Sequence, residues 1–212
     1  MNPKSTYQKT LAETIVKNMQ KRQIEACYCE TSKEAVEKAN SYLTKGAVVS
    51  FGGSMTLSEC GLMDSLKANP DITLLDRSLC KTPEEITEIY HKALNSDFYF
   101  MSSNAITTDG KLVNTDGTGN RTAALIYGPR NVIILAGMNK IVKDEAAGLA
   151  RIHEKAAPPN CIRLNRNTPC ATTGVCTDCQ SPDCTCCETV ITRRSAIPNR
   201  IKVILIGEEL GY

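Results

Sequence analysis

The chain carries almost no excess charge of either sign. Its 212 residues hold 25 basic and 23 acidic side chains, a formal net charge of +2. That balance gives no electrostatic reason to expect nucleic acid or an anionic membrane surface. Long apolar runs are also missing, and none reaches the roughly 20 residues of a membrane span. The opening stretch, MNPKSTYQKTLAETIVKNMQKR, lacks the apolar core of a signal peptide. A cytoplasmic protein with no membrane span and no nucleic-acid partner is therefore expected. Histidine is scarce. His91 and His153 both fall on predicted helices beside charged residues, as surface positions rather than general bases.

Cysteine, in contrast, is plentiful. There are eleven, and seven of them lie between Cys161 and Cys187. An odd count in a chain without a signal argues against a secreted disulfide scaffold. In a reducing compartment, clustered thiols are more often metal ligands. Within TPCATTGVCTDCQSPDCTCCE, Cys170, Cys176 and Cys179 form C-x5-C-x2-C, and Cys184, Cys186 and Cys187 each offer a fourth sulfur. A segment this polar cannot order itself by apolar burial, and a metal centre would supply the missing ordering energy. All-cysteine ligation suits either an iron–sulfur cluster or tetrahedral zinc, and spacing alone does not separate them. Four-cysteine zinc sites usually show two C-x2-C pairs, whereas only Cys176/Cys179 forms one here. Cys27 and Cys29, far from this segment, read as buried structural thiols.

Hydrophobic residues make up 42% of the chain, enough for one domain with a real core. Tyr7 to Arg22 reads as an amphipathic helix and Ile24–Cys29 as a strand. Thr31 or Ser32 caps a second helix, which runs to about Leu43. Ala47–Phe51, Ile72–Asp76 and Asp97–Met101 read as strands. Thr82-Pro83-Glu84-Glu85 opens a helix with a capping box. Lys143–Ala156 is a further helix, and Ala157-Pro158-Pro159-Asn160 breaks the chain. Glu188–Arg193 and Ile201–Ile206 read as closing strands. Alternating strands and helices predict an α/β fold, a mostly parallel sheet with helices on both faces. Residues 1–212 thus form one domain, with 158–187 a cysteine-rich, metal-binding excursion inside it.

Two turns carry candidate chemistry. Phe51-Gly52-Gly53-Ser54-Met55-Thr56 is a strand, a glycine turn and a helix start, an arrangement that presents N–H groups to an anion. It lacks the Gly-Lys-Ser/Thr ending of a Walker loop. Gly52, Gly53, Ser54 and Thr56 are the candidate ligand residues there. The second lies in SSNAITTDGKLVNTDGTGNRTAALIYGPRNVIILAGMNK (Ser102–Lys140). Asp109-Gly110 between apolar-flanked runs is a hairpin signal, of the type I′ kind that needs two positive φ angles. Asp116-Gly117 then leads through Gly119, Asn120 and Arg121 into a short buried helix, and Val132–Ala136 reads as a buried strand. Gly117, Gly119, Asn120 and Arg121 join the ligand candidates. Asp109, Asp116 and Lys140 are candidates for proton transfer. The alternative for both aspartates is a plain turn role, which Asp-Gly favours. Both turns are expected to meet at the carboxyl ends of the strands, where open α/β sheets bind ligands.

The run TDGKLVNTDGTGNRTAALIYGP…VIILAGMNKIV resembles the lactate-utilisation family, the LUD domain of LutB- and LutC-like proteins, over most of the chain. The resemblance implies a sugar-phosphate isomerase/CoA-transferase-like (NagB/RpiA-like) fold. It also implies a role beside iron–sulfur and flavin oxidoreductase subunits in lactate or related organic-acid oxidation. It favours a 4Fe–4S cluster over zinc and places the fourth ligand at Cys186, giving Cys170, Cys176, Cys179 and Cys186. Cys184 and Cys187 depart from that pattern. A small anionic ligand is expected, and self-association into a homo-oligomer stays open. A stand-alone isomerase or ligase acting on a phosphorylated or CoA-linked substrate, with structural zinc, is the competing class.

Overall fold

Runs of apolar residues too short for helices build the centre of the molecule. The computed structural model describes residues 3–212. Helix α1 (Pro3–Lys21) leads to strand β1 (Glu25–Cys29), α2 (Ser32–Asn40) and β2 (Val48–Phe51). Two short helices, α3 (Met55–Glu59) and α4 (Leu62–Ala68), precede β3 (Thr73–Leu75), α5 (Pro83–Leu94) and β4 (Phe98–Met101). Then come β5 (Ala105–Thr107), β6 (Leu112–Asp116), α6 (Asn120–Tyr127), β7 (Asn131–Gly137) and β8 (Ile141–Val142). The chain closes with α7 (Glu145–Arg151), α8 (Ala157–Arg163), α9 (Pro169–Thr173), β9 (Glu188–Thr192) and β10 (Ile201–Ile206).

Six strands form one parallel sheet in the order β1-β10-β7-β4-β2-β3. The alternation of side chains across a strand divides its core in two. Val132, Ile134 and Ala136 of β7 pack with Ile15 and Met19 of α1 and with Leu125 of α6. Ile133 and Leu135 pack on the other face with Ala35, Leu57 and Leu66 from α2, α3 and α4. The expected mostly parallel sheet with helices on both faces is what the chain forms. Cys29 is buried and Cys27 half-buried on the second of these faces.

A second, four-stranded sheet, β8-β5-β6-β9, lies outside the first. β5 and β6 are the hairpin expected at Asp109-Gly110, in register Ala105↔Val113 and Ile106↔Leu112. Its turn differs from the expected type. Gly110 has φ +89°, while Asp109 keeps a negative φ, and Thr107 N donates to Lys111 O. The loop is thus three residues long with one left-handed glycine, a geometry that needs only one positive φ.

One other expectation is corrected, and the structure adds two details to the last third of the chain. Pro158-Pro159 does not break the chain. Both prolines sit in the first turn of α8, where a missing N–H costs nothing, and a π-helical turn at Ile152–Ala156 joins α7 to α8. The stretch after Cys161 is not wholly irregular, because Thr168 caps α9, its side chain accepting from Ala171 N. The closing strands also separate. β9 pairs antiparallel with β6, whereas β10 inserts between β1 and β7. The capping box at Thr82 and Glu85 is present as expected.

The turn after β7 is tightly packed. A Cβ on Gly137 would lie 2.6 Å from Glu208 O and 2.8 Å from Leu210 N. Both are backbone atoms and cannot swing away. Gly137→Ala is expected to destabilise the fold by about 1–3 kcal/mol. The check is a lower urea midpoint with an unchanged denaturant slope.

Candidate functional site

The carboxyl ends of β2, β4 and β7 open into a cavity of about 420 Å³, in the size range of small-molecule sites. Each strand feeds a polar turn into it. β2 supplies Gly53 and Ser54, β4 supplies Ser102 and Ser103, and β7 runs into Lys140. β6 and α6 contribute Asp116, Gly117, Thr118, Asn120 and Arg121. The glycine turn and the Asp116–Arg121 turn therefore meet at one cavity. A Cβ on Gly52 would sit 3.2 Å from Arg121 Cδ, so glycine is what lets the two turns approach.

Arg121 holds this end of the sheet together. Its Nε donates to Asp116 Oδ1 at 2.8 Å. Nη1 donates to Ser102 O (3.0 Å) and Asn114 Oδ1 (2.6 Å). Nη2 donates to Asn104 Oδ1 (2.7 Å) and Thr115 O (2.9 Å). All five N–H donors of the guanidinium are thus engaged. Asp116 is equally committed, since its second carboxylate oxygen accepts from Thr122 N at 2.7 Å, in the first turn of α6. Gly119 takes φ +74° at the cap of that helix. Arg121 and Asp116 line the cavity as a rigid pair. Asn104 and Asn114 serve backbone amides too, accepting from Thr115 N and Asn104 N.

Lys140 is placed differently. Its amine is buried, 2.8 Å from Thr56 Oγ1 and 3.1 Å from Ser102 Oγ. Thr56 does not line the cavity but backs this amine. Gly52 likewise lies behind the wall, its N–H donated to Phe100 O. Burial, then the guanidinium groups of Arg151 and Arg121, push the Lys140 pKa down to about 7, with Glu59 acting the other way.

Asp109 stands apart from the cavity lining. Its carboxylate pairs with Arg22 Nη2 at 2.8 Å and with Lys111 Nζ at 3.0 Å, tying the hairpin turn to the end of α1. Burial works to raise its pKa, but the Thr107 hydroxyl, Lys111 and Arg22 outweigh that and hold it below the usual carboxylate range.

Several cavity residues carried no signal that the sequence reading used. Arg77 donates to Tyr90 Oη at 2.9 Å, and Arg163 donates to Tyr212 Oη at 2.6 Å. Arg166 lies 3.6 Å from Asp183. The cavity thus has five cations, Arg77, Arg121, Lys140, Arg163 and Arg166, against two carboxylates, Asp116 and Asp183. Those carboxylates pair with Arg121 and Arg166. Among the described residues, no carboxylate pairs within 4 Å with Arg77, Lys140 or Arg163. Ser102-Ser103 had a usable signal, since they directly follow a buried parallel strand.

The cysteine-rich segment forms another wall. Cys184, Thr185, Cys186 and Cys187 line the cavity, and Cys187 N donates to Asp116 O at 2.8 Å. The four sulfurs singled out in the sequence have different neighbours. Cys170 lies against Thr168 (3.3 Å) and interacts with Cys161. Cys176 Sγ is 3.2 Å from Nδ1 of His153, so that histidine is not a plain surface residue. Cys179 interacts with Cys184, and the Cys161 thiol is 3.2 Å from Thr185 Oγ1. Burial, then Cys184, pushes the Cys186 thiol up to about 12. Among the described residues, no three of His, Cys, Asp or Glu are gathered so as to hold a metal ion.

Comparison with known proteins fits this architecture. The LUD domain profile matches residues 12–206. No curated protein matches. A solved DUF162 family protein from Deinococcus radiodurans is 11% identical, with 94% of this chain and 98% of that chain covered at a TM-score of 0.53. The eIF2B delta structure from Chaetomium thermophilum shares 19% identity over 52% of this chain and 48% of its own, with a TM-score of 0.36.

Two outcomes follow from the geometry. Arg121→Ala leaves a buried carboxylate and several acceptors without their cation. It is expected to cost about 3–5 kcal/mol in urea unfolding, whereas Arg77→Ala stays within about 0.5 kcal/mol of the parent. The second concerns Lys140. The unfolded chain keeps this amine charged up to the ordinary 10.5, while the folded chain does so only to about 7. Across that window unfolding takes up a proton, so the Lys140 contribution makes stability rise with pH, and the burial penalty is full below it. Lys140→Met is expected to be more stable than the parent at about pH 6, with the gap closing towards about pH 10. Urea unfolding at the two pH values checks this.

Proposed function

The chain belongs to the LUD domain family, which is associated with lactate utilisation, and from that premise we propose that it is a binding component of cytoplasmic lactate or related organic-acid oxidation. In this reading the cavity at the carboxyl ends of β2, β4 and β7 takes a small organic anion. The protein works beside iron–sulfur and flavin oxidoreductase subunits. One observation carries the reading: among the described residues, Arg77 and Arg163 face one cavity without a carboxylate partner, with the Lys140 amine in the same lining. An incoming carboxylate would supply the missing negative charge, and charge-assisted hydrogen bonds to it are about twice as strong as neutral ones. Gly53 and Ser54 lead into α3, Ser54 as its cap, and Asn120 begins α6, so backbone N–H groups add to the anion-binding character of the rim. Among the described residues no helix is long and apolar enough to cross a membrane, consistent with a binding component that has no membrane span.

The same proposal gives the cysteine segment a metal-ligating role, supported by the thiol count and the family association. As arranged in the structure, Cys170, Cys176, Cys179 and Cys186 do not fit a four-sulfur centre, because among the described residues no three ligand-type side chains are gathered around one point. The segment would have to close around a cluster, and none of the cavity's chemistry is routed through one. Cysteine-ligated iron–sulfur would give brown protein, with about four iron and four sulfide per chain after anaerobic purification. Zinc would give colourless protein with about one metal. Metal-free protein with all eleven thiols free would overturn both.

A second reading, a stand-alone isomerase- or ligase-like enzyme on a phosphorylated or CoA-linked substrate, is favoured by the buried Lys140 amine. Two measurements separate the readings. Co-purification with an iron–sulfur oxidoreductase supports the binding component, and turnover by the isolated chain supports the enzyme. Calorimetric titration with lactate tests the anion site directly. Arg77→Ala is expected to weaken binding about tenfold, about 1.4 kcal/mol. Unchanged affinity in that variant would remove the unpaired-cation argument.

A further inference from the structure

The buried cations of this molecule are not alike. Arg200 is saturated by carbonyl oxygens, Nη1 to Leu125 O at 2.7 Å, Nη2 to Ala124 O at 2.8 Å and Nε to Pro129 O at 3.0 Å. Among the described residues, Lys140 has two hydrogen-bond partners, the hydroxyls of Thr56 and Ser102. An ammonium group has three donors and needs three acceptors. The Thr56 hydroxyl donates to Leu210 O at 3.2 Å, so it accepts from Lys140. Ser102 Oγ accepts the second hydrogen bond from Lys140, at 3.1 Å. Two acceptors match the two N–H groups of a neutral amine, leave its lone pair free, and fall one short of an ammonium group. The charges facing it agree. Arg151 from α7 and Arg121 from α6 disfavour the ammonium form, as does burial, and only Glu59 from α3 opposes them. Desolvation beside other cations is how lysine amines become nucleophiles at neutral pH.

We propose that Lys140 is an imine-forming amine and that its ligand is a small 2-oxo acid, whose carboxylate is met by the unpaired Arg77 and Arg163 of the same cavity. This rests on the anion-site reading and adds a covalent step to it. The lone pair of Nζ forms a bond to the keto carbon, and the carbonyl π pair moves to oxygen, which takes up a proton. Nitrogen loses one proton as the carbinolamine forms and its second as the hydroxyl, taking up a proton, leaves as water, and a C=N bond remains. Amine and ketone become imine and water, with no oxidant or reductant. The Thr56 and Ser102 hydroxyls lie within hydrogen-bond reach of the nitrogen and can relay the protons.

The experiment uses the full chain with pyruvate as the probe and borohydride to reduce any imine, followed by peptide mass spectrometry. One pyruvate-derived adduct on Lys140 is expected, forming more readily as pH rises through about 7. Lys140→Arg should lose it, while Lys143→Arg, at an exposed neighbour, should keep it. Excess lactate should compete, because it shares the carboxylate but has no keto carbon. Absence of an adduct on the parent protein, or labelling spread over surface lysines, overturns the proposal without any variant needing to fold. Calorimetric binding of lactate without trapping of pyruvate overturns the imine and leaves the anion site standing. Failure of both ligands to bind overturns both.

Discussion

The Arg121 guanidinium is the constraint on which the site depends. Five donors meet acceptors from the end of β4, the start of the hairpin and three consecutive residues of β6. These segments belong to two different sheets. Joining them through one planar cation fixes how the outer sheet sits against the inner one. Asp116 finishes the arrangement by holding both Arg121 and the first turn of α6. A buried ion pair is weak evidence of net stability but strong evidence of specified geometry when every partner is satisfied. The cavity wall is therefore rigid, and its unpaired charge is left to Arg77 and Arg163.

Rigidity on one side gives Lys140 its character. The amine is pinned between hydroxyls just after β4 and on α3, under the Leu210–Gly211 backbone that Asn139 also binds. With Arg121 committed to Asp116 and Arg151 committed to Asn104 O and Asn139 O, neither guanidinium can move off to relieve it. The position couples fold to chemistry. The same burial that destabilises the charged amine favours the neutral form, which is the nucleophile. The cysteine-rich wall is joined to this frame through Cys187 N and Asp116 O, so Cys184, Cys186 and Cys187 lie beside the same cavity.

Much of this was legible in the residues. Strand-length apolar runs separated by caps and glycine turns gave the parallel sheet, because each of those signals is local. The meeting of the Gly52–Thr56 and Asp116–Arg121 turns was also legible, since parallel strands deliver their following loops to one edge. What escaped is non-local. Nothing near Arg77 or Arg163 in sequence announces a cavity. The insertion of β10 between β1 and β7 depends on tertiary pairing, not on its own pattern. Asp109 looked like Asp116, yet its neighbours Arg22 and Lys111 make it a clamp on α1. Pro158-Pro159 read as a break because prolines stop helices, but at the start of α8 they begin one.

The central claim is that the carboxyl edge of the parallel sheet is an anion site. Backbone amide chemical shifts followed during a lactate titration test it most directly, because they report place as well as affinity. The account predicts saturable shifts at Gly53, Ser54, Gly117, Thr118 and Asn120, with the hairpin turn at Asp109 unmoved. Shifts confined to another face, or none at the cavity with lactate in large excess, would contradict it.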